Sequence, residues 1–332
     1  MSVPAKMRAV SIHEFGGPEK LEFIDWPTPQ IGESEVLIRV RATALNRADL
    51  LQRMGKYPPP PGASPIPGLE VAGEIVAIGK KVINWDIGAR VCTLLAGGGY
   101  AQYINIHGDM AMSIPAEMNY EEAAAIPEVF LTAFQAIHWL ADLQAGEKIL
   151  IHAGASGVGT AAIQLAKMIG AKVIVTASAA KHTLCDYLGA DLMIDYKKDN
   201  FEAVIAAFTE KQGVDVIIDF IGAPYFQANL NSLAMEGRLV QLAFMGGVNP
   251  SDVNIAPLLR NRLKLMGSTL RARNLEYKIR LIQDFQKHYW HHFSTGNLKA
   301  IIDSVYNWES VAEAHRYMES NQNQGKIVLM VD

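Results

Sequence analysis

Between residues 148 and 176 the spacing of apolar side chains changes twice. Ile149, Leu150 and Ile151 form a short unbroken apolar run, the pattern of a strand covered on both faces in a parallel sheet. From Thr160 to Ile169 the apolar residues Ala161, Ile163, Leu165, Ala166 and Ile169 recur at helical spacing, and Gly170 supplies the stop. Val173 to Thr176 is apolar and β-branched again, which predicts a second strand and completes a βαβ unit. The rhythm continues through Leu192–Ile194, Val216–Asp219, Leu239–Ala243 and Leu263–Met266, at the spacing of roughly two dozen residues that right-handed crossovers require. These segments predict an α/β fold with a doubly wound parallel sheet.

The first hundred or so residues read differently. MRAVSIHEFG, LEFIDWPTP, EVLIRVRATALN, GEIVAIG, ARVCTLL and AQYINIH are short alternating or β-rich runs punctuated by glycine and proline, as in an antiparallel, partly closed β domain. A helical segment from Tyr120 to Leu140, interrupted near Pro127, leads into the parallel sheet. After Ser268 come a long helix around Leu275 to His288, a weak strand near Ile302 to Tyr306, a helix from Val311 to Ser320 and a last strand, Lys326 to Met330. This tail is expected to return to the first domain, so that residues 1–126 and 270–332 form one domain and 127–269 the other. There is no internal repeat and no low-complexity linker.

With 332 residues, 50% of them hydrophobic and 19% charged, the composition suits two packed globular domains. The net charge of −4 and the lack of a lysine or arginine run argue against a dedicated nucleic-acid surface. No apolar stretch approaches the roughly 20 residues that span a bilayer, and MSVPAKMRAV lacks a signal-peptide core. The expectation is a cytoplasmic protein with no membrane partner. Two cysteines, Cys92 and Cys185, fit a reducing compartment.

The candidate chemistry begins at the glycines between the first parallel strand and its helix. Gly154, Gly157 and Gly159 are expected to bend the chain and let it lie close to a pyrophosphate, while N–H groups at the helix start offer donors. A tight strand-to-helix turn also needs glycine for steric reasons alone; the succession of strands and helices around it favours the functional reading. Ser156 stands where a dinucleotide fingerprint has its middle glycine, so its side chain is expected beside the pyrophosphate, as a donor or as a steric cost. Sites for NAD usually place an acid about 20 residues past the glycines. Here the chain reads Ala177, Ser178, Ala179, Ala180, Lys181, a hydroxyl and an ammonium suited to a 2′-phosphate. NADPH is the expected cofactor, with Tyr196 closing the same pocket; the plainer alternative is that Lys181 only solvates a helix turn.

Five segments, ALNRADLLQRMGKYPPPPGA, GLEVAGEI, AAAIPEVFLTAFQAI, HAGASGVGTAAIQLAK and NQGKIVL, resemble the zinc-free quinone oxidoreductases of the zeta-crystallin type within the medium-chain dehydrogenase/reductase superfamily. The resemblance implies a discontinuous GroES-like catalytic domain, a Rossmann domain, NADPH as hydride donor and a homodimer or homotetramer. It implies cofactor contacts from Asn46, Thr132, Gly154, Ser156, Gly157, Val158, Gly159, Ser178, Lys181, Tyr196, Phe244, Met245, Gly246, Gly247, Ser268, Thr269, Leu270, Arg271, Asn323 and Lys326. Tyr57, Asn46 and Ser156 are the expected catalytic groups, and Phe130, Thr132 and Phe244 are expected to line or position the nicotinamide. Each has a plain reading beside it: Tyr57 precedes Pro58 to Pro61 and suits a rim, Asn46 suits a turn cap, and residues after the sixth strand suit a subunit interface. Related alcohol dehydrogenases hold zinc in the segments equivalent to Asn46–Asp49 and Gly68–Glu70, where this chain has Leu69 in place of the histidine. Cys92 is the only cysteine in the catalytic portion, so no metal site is expected. His288, His291 and His292 with Asp284 are expected to be a solvated helix face.

A quinone accepts hydride at an electron-poor ring without a Lewis acid. Holding reactants face to face contributes roughly 7–11 kcal/mol, one oxyanion donor roughly 3–4 kcal/mol, so positioning outranks acid–base chemistry. The expected activity is NADPH-dependent quinone reduction in an apolar slot between the domains. The alternatives are a 2-alkenal or enone reductase, which needs a proton donor for the α-carbon, and a low-turnover NADPH-binding protein of the crystallin kind.

Overall fold

The computed structural model describes residues 3–331. Strands β1 (Lys6–Ile12), β2 (Leu21–Pro27), β3 (Glu35–Ala44), β4 (Glu70–Ile78), β5 (Arg90–Leu94), β6 (Tyr103–His107) and β7 (Met112–Ser113) come first. The middle carries β8 (Lys148–Ile151), β9 (Lys172–Ala177), β10 (Leu192–Asp195), β11 (Val214–Asp219), β12 (Leu233–Gln241) and β13 (Lys264–Gly267); β14 (Ile302–Asn307) and β15 (Lys326–Met330) close the chain. The helices are α1 (Arg47–Arg53), α2 (Tyr120–Ala124), α3 (Pro127–Phe134), α4 (Gly157–Ile169), α5 (His182–Tyr187), α6 (Phe201–Phe208), α7 (Phe226–Ser232), α8 (Ala256–Arg260), α9 (Leu275–Phe285), α10 (His291–Ser294) and α11 (Val311–Glu319). Two compact units result: one runs to Leu131 and resumes at Leu270, the other is Thr132–Thr269.

The central unit is a six-stranded sheet in the order β10-β9-β8-β11-β12-β13, parallel throughout. This is the doubly wound Rossmann arrangement, whose order reverses between β8 and β11. The apolar runs of β8, β9 and β11 are buried on both faces, whereas β13, at the sheet edge, leaves Leu265 exposed. Leu150, Ile174, Ile194, Val214, Ile217, Leu233 and Leu239 form one cluster with Phe201 and Ile205 of α6. Helix α4 starts at Gly157, three residues before the periodic stretch, because Ser156 caps it; Gly170 ends it with a left-handed φ of 90°. Strand β12 spans Leu233–Gln241 rather than Leu239–Ala243, which leaves Ala243 to Gly247 in the loop beyond the sheet.

In the other unit a sheet of order β14-β15-β3-β4-β5-β7, with β6 also on β3, is antiparallel except for β14 and β15; β1 and β2 make a separate hairpin. The last strand lies beside β3, pairing Val328 with Ala44 and Leu329 with Thr43, so the chain's two ends share one sheet. Phe130, expected to line or position the nicotinamide, is a core residue, 1% exposed. Its ring meets Phe293 edge to face at 4.9 Å and Phe285 at 6.2 Å. Among the described residues no helix is long and apolar enough to cross a membrane.

Leu150 is fully buried at the centre of the Rossmann cluster. Replacing it with alanine should cost about 3 kcal/mol through lost transfer energy and the residual cavity. Urea unfolding measures this, and a loss below about 1 kcal/mol would show a core that collapses around the gap.

Candidate functional site

After Ile151 the backbone of the central unit turns sharply at Ala153, which takes a left-handed φ of 51°. The bend therefore falls on alanine, and the glycines serve close approach. A Cβ on Gly159 would lie 2.4 Å from the Ala153 carbonyl oxygen and 2.6 Å from that of Gly154, so only glycine lets α4 begin this near the turn. Ser156 is the helix cap: its Oγ accepts the Gly159 N–H at 3.1 Å, in place of the free position beside a pyrophosphate expected from sequence. The N–H groups of Gly157 and Val158 have no hydrogen-bond partner among the described residues. Unpartnered donors at the positive end of a 13-residue helix fit a pyrophosphate.

The residues expected to hold the adenosine phosphate follow β9 and β10. Ser178 precedes a short helical turn, Ala179–Lys181, and Ser178 and Lys181 are both half-buried. Beyond β10 an open pocket of about 350 Å³ is lined by Tyr196, Lys197, Lys198, Asn200, Pro224 and Tyr225, with Asp199 and Glu202 at the same rim. Of this group only Tyr196 is expected from the sequence. The Lys197–Lys198 pair directly behind it was the available signal, whereas Pro224 and Tyr225 come from another crossover and needed the fold. The loop after β12 sits beside that crossover: Met245 N–H donates to Phe220, Gly246 N–H to Ile221 and Ala223 N–H to Gly247. Phe244 and Met245 keep about half of their surface exposed. Ser268 donates to Gln135 Oε1 at 3.1 Å, Thr269 is exposed and Thr132 half-buried.

The GroES-like unit holds a dense buried polar cluster around α1. Asn46 caps the helix and gives its amide N–H to Glu70 Oε1 at 2.9 Å, while its Oδ1 accepts Lys326 Nζ at 2.6 Å. Lys326 also pairs with Glu70 at 2.7 Å and donates to the Leu45 carbonyl. Asp49 accepts the N–H groups of Asn46 at 2.8 Å and Gly68 at 3.0 Å and a hydrogen bond from the Tyr100 phenol. A chain continues from Tyr100 to His315 Nε2 at 3.2 Å and from His315 Nδ1 to Arg53, which pairs with Glu319. Burial, with the Arg53 charge, pushes His315 down to about 3, so the imidazole is neutral.

Four residues expected at the cofactor, Asn46 among them, are thus engaged within this unit. Lys326 neutralises Glu70. Arg271 gives its guanidinium to Gln52 Oε1 and to the carbonyls of Ala96 and Tyr57. Asn323 donates to Gly325, and Leu270 is buried. Tyr57 is half-buried, its ring 5.1 Å from the Arg271 guanidinium. Burial raises its phenol above the ordinary range, with Arg271 opposing, so it stands as a proton-bearing donor.

Residues 32–116 match the alcohol dehydrogenase GroES-like domain and residues 157–294 the zinc-binding dehydrogenase family. The chain is 33% identical over 330 residues to a quinone oxidoreductase of Lama guanicoe, with 98% of both proteins covered. It belongs to the medium-chain dehydrogenase/reductase superfamily. Among solved structures, it is similar to mycobacterial Rv1454c complexed with NADPH (TM-score 0.87, 28% identity, 98% of this chain and 100% of that one). It is likewise similar to the CurK enoyl reductase (TM-score 0.85, 28% identity, 98% and 99%).

The zinc named by one of these families does not fit the residues present. Among the described residues no group of three or more His, Cys, Asp or Glu could hold a metal ion. Leu69 is buried, and Cys92 lies buried in β5 opposite Ala72, where burial pushes its thiol up. His288 instead turns its Nδ1 to the Asp284 carbonyl at 2.8 Å.

Burial raises the Asp49 carboxyl to about 6 from 3.8, against its two backbone donors and the charges of Lys326 and Arg271. A raised acid is a penalty present above the folded value and relieved as pH falls through it toward the unfolded one. Relative to Asp49→Asn, the wild type should therefore lose about 3 kcal/mol of stability between about pH 4 and pH 7. Chemical denaturation of both proteins across that range tests this; a constant difference would place the carboxyl at an ordinary value.

Proposed function

We propose that this member of the superfamily is an NADPH-dependent quinone oxidoreductase, similar in kind to the tumour-suppressor-induced quinone oxidoreductases. One observation carries the reading: in the segments where related alcohol dehydrogenases hold zinc, Leu69 replaces the histidine, and Asn46 is spent on Glu70 and Lys326. That donor set supports an acceptor needing no Lewis acid, as a quinone does. The cofactor supplies the hydride when bound. Gly157 and Val158 hold the pyrophosphate, and Gly159 keeps the helix start close to it; Ser178, Lys181 and Tyr196 hold the 2′-phosphate; the Phe244–Gly247 loop, Ser268 and Thr269 bound the nicotinamide half. Tyr57 donates to the acceptor oxygen as charge develops there. Strand β13, at the edge of its sheet, supports a homodimer or homotetramer formed by strand pairing. We place the protein in the cytoplasm.

The activity is tested by following NADPH absorbance with an ortho-quinone, with a 2-alkenal and with no acceptor. Rapid turnover with the quinone is expected; turnover with the alkenal alone would make it an enone reductase, and none with either a binding protein. Lys181→Ala should weaken NADPH about tenfold while changing NADH less than about twofold, the loss of one charge-assisted phosphate contact. Equal effects on both coenzymes would remove the 2′-phosphate assignment.

A further inference from the structure

The carboxyl end of β8 carries a buried polar side chain outside the contacts assigned above. His152 is fully buried, at the place where the sheet order reverses. Its Nε2 lies 2.8 Å from Asn229 Oδ1 and its Nδ1 3.0 Å from Thr176 Oγ1. Asn229 turns its amide nitrogen to Asp219 Oδ2 at 3.1 Å, so its oxygen faces the imidazole and Nε2 bears the proton. Nδ1 then accepts from the Thr176 hydroxyl. Burial keeps the ring from taking a second proton, with Asp219 and Asn229 opposing.

Each end of this chain of hydrogen bonds reaches a different wall of the nucleotide site. The Thr176 hydroxyl accepts from Ala153 N–H at 3.4 Å, and its carbonyl accepts the Gly154 N–H, which sets the glycine turn. Asp219 accepts the N–H groups of Ile221 at 2.6 Å and Gly222 at 3.1 Å. Gly222 has a φ of 83°, and a Cβ there would meet Phe244 at 2.6 Å, so this turn sets the neighbouring loop. The imidazole itself packs 5.0 Å from Phe201 and 4.8 Å from Tyr225, centroid to centroid, and both line the pocket beside Tyr196.

We propose that His152 is a positioning residue for the adenosine end of the dinucleotide, fixing the glycine turn, the Ile221–Gly222 turn and the pocket wall together. This rests on the NADPH reading and locates the effect in binding of the adenosine phosphate half, apart from the hydride step. The test titrates the full-length wild type, His152→Leu, His152→Gln and Thr176→Val with 2′,5′-ADP by calorimetry, and measures KM for NADPH and kcat with a quinone. In His152→Leu, 2′,5′-ADP should bind about tenfold more weakly, since the Thr176 hydroxyl and Asn229 amide lose their partner. Glutamine, which can both donate and accept, should recover part of that loss, and the KM for NADPH should rise with a much smaller change in kcat. Thr176→Val removes one hydroxyl at nearly constant volume and should weaken 2′,5′-ADP about threefold or more; it decides the matter if His152→Leu does not fold. Unchanged 2′,5′-ADP affinity in a folded variant, or a loss confined to kcat, would overturn the assignment. A wild type that binds neither 2′,5′-ADP nor NADPH would remove the proposed function itself, and this assignment with it.

Discussion

The structure depends most on how near α4 begins to the turn that follows β8. Two carbonyl oxygens, those of Ala153 and Gly154, stand within 2.6 Å of where a Cβ of Gly159 would be. That approach places the helix's first N–H groups directly over the carboxyl end of the sheet. Ser156 caps the third donor, while Gly157 and Val158 remain for a ligand. A helix end left with open donors is normally a local cost; here it is the chemical feature an anionic cofactor needs.

The two units solve the problem of buried polarity differently. In the Rossmann unit His152, Asn229, Asp219 and Thr176 form a hydrogen-bonded chain containing one charge, and that charge is stabilised by backbone donors. In the GroES-like unit Glu70 and Lys326 are both nearly inaccessible, at 0% and 3% of side-chain exposure, and Asn46 bridges them. Taking such a pair out of water is expensive, so the pair alone argues little for stability. What it does is fix Asn46 and the start of α1. Asp49, beside it, keeps a proton more readily than an exposed carboxyl would.

The parallel sheet was legible in the sequence because its strands are continuous apolar runs with a crossover between each, a pattern that survives without tertiary information. The closing of the chain was also readable: Lys326–Met330 is the last strand as expected, since its apolar run is short and bounded by Gly325. Positions whose role depends on a neighbour distant in sequence were not. Phe130 reads as well for a pocket as for a core, and only contact with Phe285 and Phe293 decides. Arg271 and Lys326 read as anion binders, yet each satisfies acceptors inside its own unit. Ser156 reads as a substitution in a fingerprint, and the backbone shows it to be a helix cap. Tyr225 carried no signal, because its place at the pocket follows from the order of strands in the sheet.

The tight start of α4 is the proposed seat of the dinucleotide, and equilibrium titration of Gly159→Ala with NADPH tests that most directly. A single methyl forced against the Ala153 and Gly154 carbonyls must shift the helix start, so NADPH should bind at least about tenfold more weakly, in line with the closeness the phosphate turn requires. Affinity equal to that of the wild type, in a variant with the same secondary structure, would contradict it.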